Sequence, residues 1–282
     1  MIRSMRVFTV FLTVAFTLMS VLSPNADAAR KSVRKKNTPY RVSAKAAVLL
    51  DAAHLNLLYE KDAHRKVLPA STTKVMTAII VLEKMGLDDY VPVSEKAAKI
   101  LPSKIDIKPG ERYRVRDLLY AALLNSANDA AIALAEAAAG SEDKFVELMN
   151  QRARQIGAKN TLFANCHGLP SDDPQYTTAY DMALMFREAM AKPVFREIIQ
   201  NKFWVIKSEA GRNIPLKSHN KALFKGWKEN VYGKTGYTNA AQACFVGYVT
   251  KEKKELIIAV FSCSDRWDDV KFILERYGGV DL

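Results

Sequence analysis

The sequence predicts an α+β fold in which a sheet is built from both ends of the chain, covered by helices, with a helical lobe inserted between them. Three observations carry this prediction. Strand-like segments occur early and late, the middle of the chain has helical apolar spacing, and 282 residues less a short leader suffice for one large domain.

Taken in order, residues 46–51 and 57–61 are short apolar runs around a polar turn and predict a hairpin. Residues 71–82 open with a serine able to cap and continue with helical spacing until Gly86 ends the pattern. The stretch 94–115 is mixed, broken by Pro102, Pro109 and Gly110. Helices follow at 117–124, in the Ala-rich run after Asn125-Ser126-Ala127-Asn128-Asp129, at 141–156 where Gly157 stops it, and at 178–191 and 194–200. From Lys202 the pattern changes. Residues 203–207, 231–237, 243–250 and 256–262 predict strands, with a charged hairpin turn at 251–254, and 265–277 predicts a closing helix ended by Gly278-Gly279.

Residues 1–28 have the order of a secretory signal peptide: Arg3 and Arg6, an uncharged apolar stretch at 7–22, then Ala26-Asp27-Ala28 as an A-x-A exit. That stretch is short of the ~20 residues that span a bilayer, so cleavage before Ala29 is favoured over an uncleaved anchor. No Cys follows closely enough for a lipoprotein anchor. Much of the net charge of +12 sits just beyond, at Arg30, Lys31, Arg34, Lys35 and Lys36. Residues 29–43 therefore read as a basic, flexible leader. Its functional alternative is a weak electrostatic contact with anionic lipid or wall polymer, roughly 1 kcal/mol per basic residue near a membrane. An exported chain with no recognisable binding module is a poor candidate for nucleic acid. The four His are scattered and no C-x-x-C occurs, so no metal and no cofactor is predicted. Cys166, Cys244 and Cys263 are odd in number, which leaves at least one thiol unpaired within a monomer and any pairing of the others open.

Three short motifs stand in order: Ser71-Thr72-Thr73-Lys74, Ser126-Ala127-Asn128 and Lys234-Thr235-Gly236. Singly they are weak, because S-x-x-K recurs at Ser32, Ser141 and Ser218, and S-x-N at Ser23 and Ser218. Taken alone, Ser71 and Asn128 could be helix caps and Lys74 a surface lysine. Only Ser71 opens an apolar helix and is followed by S-A-N between helices, then K-T-G on a predicted strand. That ordered trio is shared by class A β-lactamases and penicillin-binding proteins.

The chemistry accounts for the residue types. A serine hydroxyl becomes a good nucleophile when a neighbouring base takes its proton. At i and i+3, Ser71 and Lys74 project from one helix face. An ordinary lysine, with a pKa of ~10.4, is neutral at pH 7 in only about one molecule in 2,500, a cost of roughly 4.6 kcal/mol. Burial and a second cation both lower that pKa, and Lys234 is the obvious second cation. Ser126 can bridge Lys74 to the leaving nitrogen, and Asn128 can orient the substrate amide. Lys234 and Thr235 suit a substrate ending in a free carboxylate, and Gly236 lets it lie close to the strand.

The segments 69–78, 115–119, 126–131 and 234–238 resemble the serine D-Ala-D-Ala carboxypeptidases, the low-molecular-mass penicillin-binding proteins. His167-Gly168-Leu169-Pro170 and residues 176–181 resemble two further segments of that family. The resemblance implies a β-lactamase-like fold, an antiparallel sheet flanked by helices with a helical lobe, occupying 44–282 as the catalytic domain. It implies peptidoglycan peptides ending in D-Ala-D-Ala as substrates, β-lactams as covalent inhibitors, and an oxyanion hole from the N–H groups of Ser71 and Tyr237. Such donors are typically worth ~2.7–4 kcal/mol each. Three departures stand out. The chain stops at Leu282 without the β-rich domain and amphipathic anchor of many relatives, which predicts a soluble short form, exported to a periplasm or the exterior. Cys166 stands where Pro is common and is expected to be packing. Ala127 stands where Gly is frequent.

A DD-endopeptidase acting on cross-links would use the same motifs. A class A β-lactamase is disfavoured, since no E-x-x-L-N motif lies between S-A-N and K-T-G. A penicillin-binding sensor or wall-binding module that acylates without turnover is disfavoured by the intact set Ser71, Lys74, Ser126 and Lys234, which such a binder would not need.

Overall fold

A computed structural model describes residues 40–252 and 254–282. The expected signal peptide and the basic cluster at 30–36 therefore lie outside the described residues. The hairpin β1 (Ala46–Asp51) and β2 (Leu57–Lys61) leads into a 3-10 turn at Ala70–Thr73 and helix α1 (Lys74–Lys84). Strands β3 (Tyr90–Pro92) and β4 (Arg112–Arg114) pair around the short helix α2 (Glu95–Lys99). Helices α3 (Val115–Leu124), α4 (Asn128–Ala139), α5 (Glu142–Ile156), α6 (Ala179–Met190) and α7 (Pro193–Gln200) follow. Strands β5 (Phe203–Lys207) and β6 (Asn213–Lys217) precede β7 (Tyr232–Thr238), β8 (Gln242–Lys251), β9 (Lys254–Cys263) and helix α8 (Arg266–Gly278).

The main sheet is antiparallel throughout, in the order β2-β1-β9-β8-β7, so both ends of the chain do build it. Side chains alternate across a strand, and here both faces are covered. Ala46, Val48 and Leu50 enter the core shared with α1, α4 and α6, while Ala47 and Leu49 face the core beneath α8. On β9, Ile257, Ala259 and Phe261 take the first face and Leu256, Ile258 and Val260 the second. A strand buried on both sides needs a continuous apolar run, which is what its sequence shows. Truncating a fully buried leucine such as Leu49 to Ala would cost ~2–5 kcal/mol.

The entry to the sheet is tied down by one buried carboxylate. Asp269 on α8 accepts from Tyr40 Oη (2.7 Å), Ser43 N (2.7 Å), Ser43 Oγ (2.7 Å) and Ala44 N (2.8 Å). Tyr40 and Ser43, at the end of the segment expected to be a flexible leader, are thus anchored to the domain.

Several local expectations change. Helix α1 begins at Lys74, and the turn before it is 3-10, so Ser71 is not a helix cap. Helix α3 begins at Val115, two residues before the expected Asp117. The mixed stretch 94–115 contains α2 and β4, elements too short to impose a period. Strand β5 pairs only with β6, outside the main sheet. Cys166, Cys244 and Cys263 are all buried free thiols. Among the described residues, no helix is long and apolar enough to cross a membrane.

Candidate active site

Ser71 is the second residue of the 3-10 turn, immediately after Ala70, whose φ is +46°. A left-handed alanine costs of order 1–3 kcal/mol and persists only where its surroundings enforce it. Two glycines let those surroundings close in. A Cβ on Gly168 (φ +86°) would lie 1.8 Å from the Ala70 carbonyl oxygen. One on Gly236 of β7 would lie 3.1 Å from both Ser71 N and Ala70 Cβ. The turn carrying Ser71 is therefore pressed between the 165–169 loop and the edge strand of the main sheet.

One helical turn on, Lys74 is fully buried. Its Nζ donates to Ser71 Oγ (3.1 Å), Asn128 Oδ1 (2.6 Å) and the His167 carbonyl (2.8 Å). Burial pushes its pKa down to about 7, against the opposing pull of Cys166 and Asp129. About half of such lysines carry no charge at neutral pH, so the free base is available without the penalty an exposed lysine would meet.

Lys234, also fully buried, donates to Ser126 Oγ (2.9 Å) and to the Thr235 carbonyl (2.9 Å). Burial holds its pKa well below the ordinary lysine value, and the charges of Lys74 and Arg266 press the same way. Lys234 was expected to bias Lys74. Loss of solvent is the leading cause for each lysine, and repulsion between the two charges, being mutual, presses on both.

Ser126 and Asn128 stand where α3 hands over to α4, with Ser126 at φ +64°. Their partners differ from expectation. Ser126 is bonded to Lys234, and no bond joins it to Lys74. Asn128 uses both ends of its amide, Oδ1 on Lys74 and Nδ2 on the Pro102 carbonyl (2.6 Å), and is 1% exposed. In this arrangement it holds Lys74 in place. Thr235, Gly236 and Tyr237 lie on β7 and line the same cleft, Tyr237 being well exposed.

The cleft is a cavity of about 610 Å³ that places Ser71, Ser126, Asn128, Thr235, Gly236 and Tyr237 together. Sequence reading did not find the rest of its wall. Lys217 ends β6, and Lys221 and Phe224 bound the 3-10 turn that follows, so both lysines reach the rim; Lys217 Nζ lies 5.3 Å from the Phe224 ring centre. Arg266 donates to the Gly236 (3.0 Å) and Cys244 (2.7 Å) carbonyls and so braces the edge strand. Pro102 and Ser103 close the other side, and the segment after them is pinned by Asp129 Oδ2 through Ile105 N (3.0 Å) and Ile107 N (3.3 Å). Among the described residues, no acidic side chain lines the cavity. These wall residues come from separate elements with no fixed spacing, so only the fold reveals them.

Comparison with known proteins meets this geometry. The model of the D-alanyl-D-alanine carboxypeptidase family, peptidase family S11, matches residues 32–265. The chain belongs to that family. It is 32% identical over 263 residues to the D-alanyl-D-alanine carboxypeptidase DacF of Bacillus subtilis (strain 168), covering 88% of this chain and 64% of that protein. Against DacC of Escherichia coli (strain K12) it is 34% identical, covering 89% of this chain and 63% of the relative. The chain thus spans somewhat under two thirds of the curated relatives it matches. The solved D-alanyl-D-alanine carboxypeptidase of Mycobacterium tuberculosis H37Rv superposes with a TM-score of 0.80 at 29% identity, over 86% of this chain and 93% of that one. The Streptomyces K15 DD-transpeptidase gives 0.79 at 26% identity, over 86% and 99%. The fold is that of the penicillin-binding DD-peptidases.

Proposed function

We propose that this S11 family member is a serine D-alanyl-D-alanine carboxypeptidase that trims peptidoglycan stem peptides through an acyl-enzyme on Ser71 and is acylated there by β-lactams. The observation that carries the reading is the 3.1 Å contact between Ser71 Oγ and a fully buried Lys74 whose pKa is about 7.

In this mechanism neutral Lys74 takes the Ser71 proton as Oγ attacks the carbonyl of the penultimate D-Ala. The N–H groups of Ser71 and Tyr237 receive the developing oxyanion. Ser126 accepts a hydrogen bond from Lys234 and passes its own proton to the nitrogen of the departing D-Ala, while the Lys74 ammonium returns the proton taken from Ser71 to Ser126 and becomes neutral again. Water then attacks the acyl-serine, the neutral Lys74 accepts its proton and hands it to the departing Ser71 Oγ, and the shortened peptide leaves with Ser71 and Lys74 both restored. Lys234 and Thr235 take the terminal carboxylate, in a cleft whose charged wall residues, Lys217, Lys221 and Arg266, are all basic.

The signal-like residues 1–28 support export, the periplasm being the preferred site, with cleavage before Ala29. Residues 29–43 would follow as a basic leader able to touch anionic lipid or wall polymer through screened charge, and 44–282 as the catalytic domain. The test is incubation with purified muropeptides and with labelled penicillin. Loss of D-Ala from pentapeptides, and labelling that Ser71→Ala abolishes, are the expected results. Undiminished labelling of Ser71→Ala, or conversion of dimers to monomers without D-Ala release, would overturn the reading.

A further inference from the structure

The loop 165–169 supplies the carbonyl that holds Lys74, and it is also bonded on its far side. Behind it lies Glu142, the first residue of α5, only 8% exposed. Its Oε1 accepts from Cys166 N (3.2 Å) and from the Cys166 thiol (3.2 Å), and stands 3.5 Å from His167 Nε2. Its Oε2 meets Lys96 Nζ at 2.8 Å. His167 Nδ1 accepts from Leu169 N (3.1 Å), which leaves the ring proton on Nε2, facing the carboxylate. Burial, with help from the charge of Lys74, lowers the His167 pKa to about 4, so the ring is neutral where the enzyme works. Burial pushes Glu142 upward, but the bonds from Lys96 and Cys166 outweigh it and keep the carboxyl below its usual range.

On the opposite side, the same two loop residues face α1. The Cys166 carbonyl accepts from Thr77 Oγ1 (2.6 Å) and the His167 carbonyl from Lys74 Nζ (2.8 Å). One buried carboxylate thus holds the two residues whose carbonyl oxygens bind the helix of the base.

We propose that Glu142 is a positioning residue for Lys74: it clamps Cys166 and His167 so that the His167 carbonyl stays on the amine and water stays out of its pocket. The inference rests on the reading of Lys74 as the base of acylation. It follows from geometry that a packing role for Cys166 would not require, since the carboxylate binds the Cys166 N–H as well as its thiol. Lys74 is dry because this loop closes over it, so loosening the clamp rehydrates the amine and favours its charged form. The titratable groups around that amine are Lys234 on β7, Asp129 on α4, Cys166 and His167 in the loop, and His219 beyond Lys234.

The experiment is the rate of acylation by a fluorescent penicillin against pH, for the whole protein and the variants Glu142→Ala, Glu142→Gln and Lys96→Met. Glu142→Ala should move the rising limb upward by about one pH unit, which at pH 7 lowers the rate about fivefold. Glu142→Gln keeps an oxygen for Cys166 N–H and should move it less. Lys96→Met, at a mostly exposed side chain, removes the outer end of the clamp and should shift the limb in the same direction; it carries the test if Glu142→Ala does not fold. Folded variants that lose amplitude while keeping the wild-type midpoint would reduce Glu142 to a structural residue and overturn the proposal. A wild-type protein that penicillin does not acylate would instead defeat the reading of Ser71 and Lys74, and the clamp with it.

Discussion

Two cavities of this molecule are rich in basic side chains, and they differ in what those side chains hold. The larger, about 980 Å³, lies where the β1–β2 turn, α5, α6 and the ends of β8 and β9 meet. Its arginines are already engaged: Arg152 with Glu83 and Glu188, Arg196 with Glu255, and Arg187 with the Ala52 carbonyl. The smaller is the Ser71 cleft, and there Lys217, Lys221 and Arg266 meet no acidic wall residue. Beneath its floor two lysines are fully buried with only neutral acceptors bonded to them. A buried cation without an anion is costly and stays only where its discharge or its ligand is useful. Size alone would have chosen the wrong cavity. Charge satisfaction separates a structural pocket from a reactive one.

The contrast can be broken at several points. Lys74→Arg keeps the charge but removes the base, arginine having a pKa of ~12.5 or above, so acylation should fall by about two to four orders of magnitude in single-turnover measurements. Lys234→Ala should lower turnover of a free-carboxylate peptide by about tenfold to a hundredfold, and Lys234→Arg by less. Amidating the terminal carboxylate should shrink the Lys234→Ala defect, because that contact is then already gone. If the defect keeps its full size with the amidated peptide, Lys234 does not read the carboxylate.

Smaller effects sharpen the comparison between the cavities. Replacing Lys217 and Lys221 together by Met should lower kcat/KM for an anionic peptide about threefold to tenfold, and added salt should erase the difference. In the other cavity Arg196→Met should leave kcat/KM unchanged and cost less than about 1 kcal/mol of stability in urea titrations, since its ion pair with Glu255 is partly exposed. A rim variant with no salt-dependent loss, or an Arg196 variant with impaired turnover, would show that pairing is not what distinguishes the two sites.

Much of this was legible in the chain. The runs of β1, β8 and β9 are apolar because both faces of each strand are buried, so they stand out without alternation. Ser71, Lys74, Ser126, Asn128, Lys234 and Thr235 were legible because short motifs hold them at fixed spacing where the 3-10 turn enters α1, at the α3–α4 junction and on β7. The roles inside the site were less so. Spacing cannot say that Asn128 turns its amide to Lys74, or that Ser126 binds Lys234, because those partners are 54 and 108 residues away. Glu142 and Arg266 carry no motif at all. One acts from behind a loop and the other through two carbonyls. The 3-10 turn at Ser71 was hidden by helical spacing that continues through it, and only the left-handed Ala70 marks the break.

The central claim is that burial makes Lys74 a usable base for Ser71. Its most direct test is the pH dependence of wild-type acylation by penicillin, with saturating label and single-turnover timing. Because Lys74 must be neutral to accept the proton, and its pKa is lowered to about 7, the rate should be low in acid and rise with pH through a midpoint near 7. The rise should be absent in Lys74→Arg. A wild-type rate that is flat from acid to mild base, or that rises only near the ordinary lysine value of ~10.4, would contradict the account.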